Sequence, residues 1–405
     1  MGLVKNRVLC ALVVAGIAAA LGLAFLTHAP NRLVAGTGIS LAHVVRVVGE
    51  TDGFHVGRGL ALLLTLLLTL LPALLLVAGV FMRPARGTHV VVGVAATLLP
   101  AGLVWLAADH ATRLAATAPD TASGIARTSF GGAFWLLAAL SWLVATDAIQ
   151  RLALKPAYRL LAGAAVIAPV LALLAGGALN QLSLLKEYAN RHDVFNAALV
   201  QHVHIVVASL LPALVIGVPL GIASVRRNRL RPPLFAVLNI IQTVPSIALF
   251  GLLMAPLALL AASVPALAQW GIKGIGLAPA VIALTLYSLL PVVRSTAAGL
   301  SQVPQPVVDA ALGMGLTGRQ IFWKVELPLA LPIFLSGLRV ATVQAIGMAV
   351  VAALIGAGGF GAIMFQGLLS GALDLVLLGV LPVVAMAVVV DALLKAITLA
   401  LEPEF

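Results

Sequence analysis

Ten apolar runs, each within or beyond the roughly 17 to 25 residues a helix needs to cross a bilayer, constrain what this chain can become. They lie at 8–26, 59–81, 90–107, 131–147, 160–179, 199–223, 234–260, 277–300, 329–355 and 375–398. Backbone inside lipid must satisfy its own hydrogen bonds, so runs of this kind fold as helices. The sequence therefore predicts an all-α membrane protein with about ten transmembrane helices. Composition agrees: 9% of the residues are charged, against about a quarter in soluble domains.

The net charge of +11 does not point to nucleic acid. The basic residues sit in short clusters between apolar runs rather than along one amphipathic face. They are better read as orientation signals, because short loops rich in Lys and Arg stay in the cytoplasm. With the N-terminus inside, the inner loops hold Arg83 and Arg86; Arg151, Lys155 and Arg159; Arg226, Arg227, Arg229 and Arg231; and Arg319 and Lys324. The alternate loops dilute their bases with acids. Arg32, Arg46 and Arg58 are offset by Glu50 and Asp52, Arg113 and Arg127 by Asp109 and Asp120, and Lys186 and Arg191 by Glu187 and Asp193. The loop at 261–276 carries only Lys273, and 356–374 has no base. Ten spans with both termini in the cytoplasm satisfy this pattern. Lys5 and Arg7 precede the first run in the manner of a secretory signal, but that run is long for one and no small-x-small cleavage site follows it, so a retained helix is expected. Cys10 is the single cysteine, which leaves no intramolecular disulfide and no Cys-based metal site.

The chain changes character midway. Residues 1–198 are rich in Ala and Leu and hold no assignable motif, whereas 199–399 place Pro, Gly and polar residues at defined positions. The expected organisation is an accessory membrane segment at 1–198 of about five spans, then a second five-span domain at 199–399. Gly217 with Gly221, and Gly367 with Gly371, have the small-xxx-small spacing of close helix packing.

The longest inner loop, 303–328, is too patterned for a linker. Pro304 and Pro306 suit a helix start, and Asp309 is placed in the first turn, where it complements the dipole. Gly313 and Gly315 break that helix. Thr317 and Gln320 have capping-box spacing for a second helix, which Pro328 is expected to end.

This loop resembles the coupling loop of permeases in binding-protein-dependent ABC importers. The family pattern is Glu-Ala-Ala, three residues, Gly, nine residues, then Ile-x-Leu-Pro. Here Asp309, Ala310, Ala311, Gly315, Val325, Leu327 and Pro328 occupy those places, with Asp for Glu and Val for Ile. Segments 209–221, 242–253, 286–296 and 353–361 are similar to the permeases of glycine betaine, carnitine and choline importers. The likeness covers about 200–395, and the extended first half is similar in plan to one subgroup of those osmoprotectant permeases. The resemblance implies a type I importer core and a bacterial inner-membrane location. It also implies three partners: an ATP-binding cassette subunit, an extracytoplasmic substrate-binding protein, and a second permease that is either another copy or a shorter paralogue. It places ATP and Mg on the partner ATPase and no cofactor on this chain, which has no G-x-x-x-x-G-K-[ST] loop.

Other features are weighed against this reading. The stretch Gly356 to Gly361 matches G-x-G-x-x-G, but it follows a span where a nucleotide site needs a strand, so a tight outer turn is expected. Arg294 lies in a span near its inner end, where it can snorkel. Arg339 and Asp391, in the ninth and tenth runs, are intramembrane charges read as path contacts like Arg294, or either as an intrabundle partner instead. His202 and His204 are placed at an interface, and Trp105, Trp135 and Trp142 at the aromatic belts. Gln242, Thr243, Pro245, Ser246, Tyr287 and Arg294 are the residues expected along a translocation path, the first four in a helix weakened by Pro245. Aromatic residues are 5% of the chain, too sparse for a full cage around a quaternary ammonium, which puts the high-affinity site on the binding protein. An ion-gradient transporter would need paired acids and matching halves, and a membrane enzyme a nucleophile or metal constellation; neither pattern is found. A methionine- or phosphonate-type substrate is left open by the loop alone.

Overall fold

The computed structural model describes residues 7–31, 34, 36–49, 73–74, 85–117, 125–269 and 271–401. The run at 59–81 and the charges Lys5, Arg32, Glu50, Asp52, Arg58, Arg83 and Asp120 lie outside these residues, apart from 73–74. The chain divides into two compact units, Met1–Asn190 and Arg191–Phe405. Among the described residues seven helices are long and apolar enough to cross a membrane, and five of them belong to the second unit.

The first unit contains α1 (Arg7–Gly22), β1 (Leu26–Ala29), β2 (Thr37–Ile39), α2 (Leu41–Gly49), α3 (Arg86–Thr117), β3 (Arg127–Phe130), α4 (Gly132–Arg151), α5 (Pro156–Ala175) and α6 (Ser183–Asn190). The sheet was not anticipated. β1 runs between β2 and β3, antiparallel to both, with Leu26 opposite Ile39 on one side and Phe130 on the other. These strands occupy segments that the sequence assigns to outer loops. Each is only three or four residues long, and the pairing of β1 with β3 spans about a hundred positions, so no local periodicity announces it. An aromatic core lies beneath the sheet. Phe130 stacks on Phe134 at 3.9 Å, Phe25 meets Phe134 edge-on at 6.2 Å, and Trp135 stands edge-on to Phe130 at 5.7 Å. Trp105 and Trp135 are partly buried against the first unit's core, and of the three tryptophans expected at the belts only Trp142 is exposed.

The second unit contains α7 (His192–Arg226), α8 (Arg231–Thr243), α9 (Ser246–Ser263), α10 (Pro265–Gln269), α11 (Leu277–Ser301), α12 (Gln305–Gly313), α13 (Gly318–Ile321), α14 (Leu327–Val351), α15 (Phe360–Leu369) and α16 (Leu373–Leu401). The boundary expected at 198/199 falls inside α7. α11 is its central helix, packed against both α7 and α14. Gly217 and Gly221 face α11 so closely that a Cβ on Gly217 would sit 2.8 Å from Val292 Cγ1. Gly367 packs against α16, 2.6 Å from the Val376 nitrogen by the same measure, but Gly371 makes the turn between α15 and α16, with φ +64°.

Two expected elements differ. The run 234–260 is two helices, because Pro245 lacks an N–H and drives Val244 to extended backbone, ψ 127°. The outer segment 356–374 holds a half-buried helix, α15, with Phe360 fully enclosed; it is too short to cross a bilayer. It opens on a glycine turn in which Gly356, Gly358 and Gly359 have positive φ. A helix precedes this turn, so the nucleotide reading finds no strand to stand on.

Candidate functional site

The 303–328 segment folds as two short helices and an elbow. Pro304 caps α12 and Pro306 sits in its first turn. Asp309 lies beyond that first turn, correcting its expected dipole role, and its Oδ1 accepts a hydrogen bond from Gln305 Nε2 at 3.0 Å. Ala310 is exposed, whereas Ala311 is buried.

Gly315 ends the helix with φ +81°, a conformation that favours glycine. Its N–H donates to the Leu312 carbonyl at 2.9 Å, and that of Leu316 to the Ala311 carbonyl at 3.2 Å. Together these form a Schellman closure that satisfies otherwise orphaned carbonyls. The capping box is formed: Thr317 Oγ1 accepts from the Gln320 N–H, and Gln320 Oε1 accepts from the Thr317 N–H at 2.8 Å. Pro328 does not end this helix. A π turn, Phe322–Glu326, joins α13 to α14, and Pro328 sits in the first turn of α14. The wider turn lets the Leu327 N–H reach the Phe322 carbonyl, so the chain continues past a residue with no donor.

Val307, Leu312, Met314 and Trp323 are exposed on this segment, Met314 by 75% and Trp323 by 58%. Val325 and Leu327 are partly buried in the π turn and at the start of α14. Glu326, the variable position of the motif, is 8% exposed and forms an ion pair with Arg226 in the last turn of α7. Sequence reading missed this pair because the partners stand about a hundred positions apart. An apolar cavity of about 270 Å³ adjoins the segment, lined by Val218, Ile222, Thr296, Phe322, Trp323 and Leu327 among others.

A second constellation surrounds the break between α8 and α9. Pro291 in α11 has no N–H for the carbonyl of Tyr287 four residues earlier, and Gln242 Nε2 donates to that oxygen instead, at 2.8 Å. The Tyr287 hydroxyl donates in return to the Val244 carbonyl, which the break at Pro245 has freed. Two proline defects in neighbouring helices thus satisfy one another. Of the expected path residues, Gln242 and Tyr287 meet here, with Pro245 and Ser246 opening α9. Thr243 Oγ1 returns to its own helix at the Ile240 carbonyl, 2.7 Å away. Arg294 stands apart and exposed, 3.4 Å from Asn239 Oδ1.

His202 is wholly buried, not interfacial, whereas His204 is exposed. α7 begins at His192, which carries position 202 about 15 Å along the helix. There its Nε2 lies 3.1 Å from the Ile346 carbonyl and its ring 5.6 Å from that of Phe360. Arg339 and Asp391 pair with each other at 3.5 Å. Among the described residues no cluster of three His, Cys, Asp or Glu side chains has metal-binding geometry.

Two family models match the chain. Residues 213–404 match the binding-protein-dependent transport system inner membrane component, and residues 5–185 match the N-terminal domain of the ABC transporter permease YehY. The osmoprotectant import permease protein OsmW of Salmonella typhimurium is 38% identical over 204 residues, half of this chain and 90% of that protein. The glycine betaine/carnitine/choline transport system permease protein OpuCD of Bacillus subtilis is 35% identical over 206 residues, 50% of this chain and 82% of that protein. A solved structure of the MetNI methionine ABC transporter, in an inward-facing conformation, aligns with TM-score 0.45 and 24% identity over 53% of this chain and 99% of the other.

Proposed function

We infer what the chain does from the family to which it belongs: it is an inner-membrane permease of binding-protein-dependent ABC importers, akin to the osmoprotectant, glycine betaine, carnitine and choline permeases. The proposed cargo is a small quaternary-ammonium osmoprotectant such as glycine betaine. An extracytoplasmic binding protein delivers it, a second permease completes the path, and a separate ATP-binding cassette subunit binds ATP and Mg and hydrolyses the nucleotide. Both termini lie in the cytoplasm, which puts the 303–328 segment on the ATPase side.

The observation that carries this reading is the build of that segment. Its exposed surface bears Leu312, Met314 and Trp323, apolar groups suited to a protein partner rather than to water. Its interior is tied at three points: the Schellman closure at Gly315, the capping box at Thr317, and the Glu326 to Arg226 ion pair. A knob so braced moves as a body. Displacement by the closing ATPase passes through the π turn into α14, and through Arg226 into α7. The Gln242 and Tyr287 contacts mark where α8 and α9 can flex against α11, and Gln242, Thr243, Pro245, Ser246 and Tyr287 border the proposed path.

The test is uptake of labelled glycine betaine, choline, carnitine, proline and methionine in cells with and without the gene, before and after ATP depletion. ATP-dependent loss of betaine-type uptake is expected. Gly315→Val and Asp309→Ala are expected to lower uptake about tenfold or more while ATP hydrolysis and membrane level persist, because a strained or altered elbow breaks transmission. Loss of methionine uptake alone would change the cargo, and ATP-independent uptake would overturn the mechanism.

A further inference from the structure

The second unit carries an ion pair in a place where lipid would not tolerate it. Arg339 is the midpoint of the 25-residue α14, about 18 Å of helix from either end and too deep to snorkel. Its partner Asp391 lies on α16, 3.5 Å away, and the two side chains remain 31% and 48% exposed. A half-exposed Arg or Asp facing hydrocarbon at mid-span costs about 2.5–3.5 kcal/mol, so this face borders water or protein.

The residues beside the pair point the same way. Along α7 the exposed row is Val200, Val203, Val207, Leu211 and Val215, the apolar stripe of a lipid-facing helix. Along α14 the outward row is mixed: Ser336 and Gly347 are exposed and Gln344 partly so, with the exposed Val340 among them, and a Cβ on Gly347 would meet nothing within 4 Å. Small and polar groups interrupting an apolar row beside an ion pair are compatible with a hydrated path. The ion pair is also looser than the local pairs of the first unit, where Arg113 and Asp109 approach to 2.6 Å. Lys395 lies one turn beyond Asp391 on α16 and is partly buried, so positive charge is available on either side of the carboxylate.

We propose that Arg339 and Asp391 form a passage site for a zwitterionic solute, the carboxylate of Asp391 taking its quaternary ammonium and the guanidinium of Arg339 its carboxylate. This rests on the osmoprotectant reading above and names the chemistry of its path. The two protein charges neutralise one another while the site is empty and exchange that contact for the solute's opposite charges as it passes. No buried charge is then left unpaired at either stage. Gln344 and Ser336 supply further polar contacts along the same helix.

The experiment is uptake at saturating solute and binding protein by the complete importer, with glycine betaine compared against choline, which has the ammonium but no carboxylate. Arg339→Gln is expected to lower the betaine rate about tenfold and to leave choline within about twofold, the scale of discrimination that one polar contact provides. Asp391→Asn is expected to lower both rates. Arg339→Lys keeps the charge without the fork and falls between wild type and Arg339→Gln; it also guards against misfolding, which immunoblots of membrane level would reveal. The betaine-to-choline ratio is the readout a structural ion pair would not move. Equal loss of both solutes in Arg339→Gln, or full recovery of both when the two residues are exchanged, would overturn the proposal, as would impaired association of the two permeases at unchanged uptake per assembled complex. If the wild type imports neither solute, the osmoprotectant reading falls and this proposal with it. If the wild type imports both and Arg339→Gln is silent, only this proposal falls.

Discussion

In the first unit one cluster of aromatic rings turns inward, and two helix-borne ion pairs close within a single helix while a third, Arg127 with Glu187, joins β3 to α6. Phe130, Phe134 and Trp135 pack around one another, and Asp109 with Arg113 and Asp147 with Arg151 each close over a single helical turn. In the second unit Trp323 and Met314 face outward, and the ion pairs join distant elements: α7 with the π turn, α14 with α16. Pairs one turn apart steady a helix by a few tenths of a kcal/mol and say nothing about its neighbours. Pairs between elements fix relative position, and they are the contacts a moving bundle must make and break. The outward Trp323 and Met314, on the segment proposed to meet the ATPase, lead us to expect transmission through the second unit and a scaffold role for the first.

The sharpest way to break that comparison is to fill a helix crossing. Gly217→Leu drives a side chain into Val292, whose Cγ1 is 2.8 Å from where a Cβ would sit. Overpacking of this kind costs about 1–3 kcal/mol and at times more. Loss of folded protein from the membrane is expected, and with it all uptake. Gly163→Leu on α5 meets nothing within 4 Å and is expected to leave membrane level and uptake near wild type. Equal damage from both, read as membrane-extracted yield and thermal midpoint, would mean that the α7–α11 crossing is no more sensitive to a side chain than the open face of α5.

A smaller effect is expected at the paired proline defects. Tyr287→Phe removes the donor to the Val244 carbonyl and leaves that part-buried oxygen without its partner, at about 1 kcal/mol. The Gln242 contact to the Tyr287 backbone survives the substitution. Membrane level should therefore hold while the break between α8 and α9 loosens, seen as faster amide hydrogen exchange at 243–247. Unchanged exchange there would remove Tyr287 as the clasp.

What was legible in the sequence follows from the range of the forces involved. Spans are written in runs of apolar residues, and the local build of 303–328 is written in Pro304, Gly315, Thr317 and Gln320, whose preferences act within a few positions. Pro245 likewise marks its helix break locally. The sheet, the Arg226–Glu326 pair and the Gln242–Tyr287 contact are tertiary facts between residues far apart in sequence, and nothing near any one of them names its partner. Pro328 misled for a related reason: a proline ends a helix or opens one, and only the π turn before it decides which. His202 looked interfacial because the apolar run begins at 199, while the helix itself begins at His192.

The smallest effect expected belongs to the first unit and tests whether it is a scaffold alone. His28 Nδ1 and Thr128 Oγ1 lie 3.0 Å apart across β1 and β3, and burial, then the nearby Lys186, hold the His28 imidazole below its usual value. Burial and Arg127 in turn lower Lys186, while Glu187 is engaged with Arg127 at 3.5 Å. The folded chain thus keeps His28 neutral where the unfolded chain would protonate it. Unfolding takes up a proton once the pH falls through the ordinary imidazole value of about 6.5, so stability is retained above that pH and declines below it. Thermal midpoints of the purified chain in detergent at about pH 7.5 and 5.5 should show the decline, and His28→Gln should flatten it. Because the second unit contains none of these groups, the saturated uptake rate of His28→Gln at neutral pH should equal that of wild type. A fall in uptake without a change in the pH profile would instead assign the sheet a part in transport.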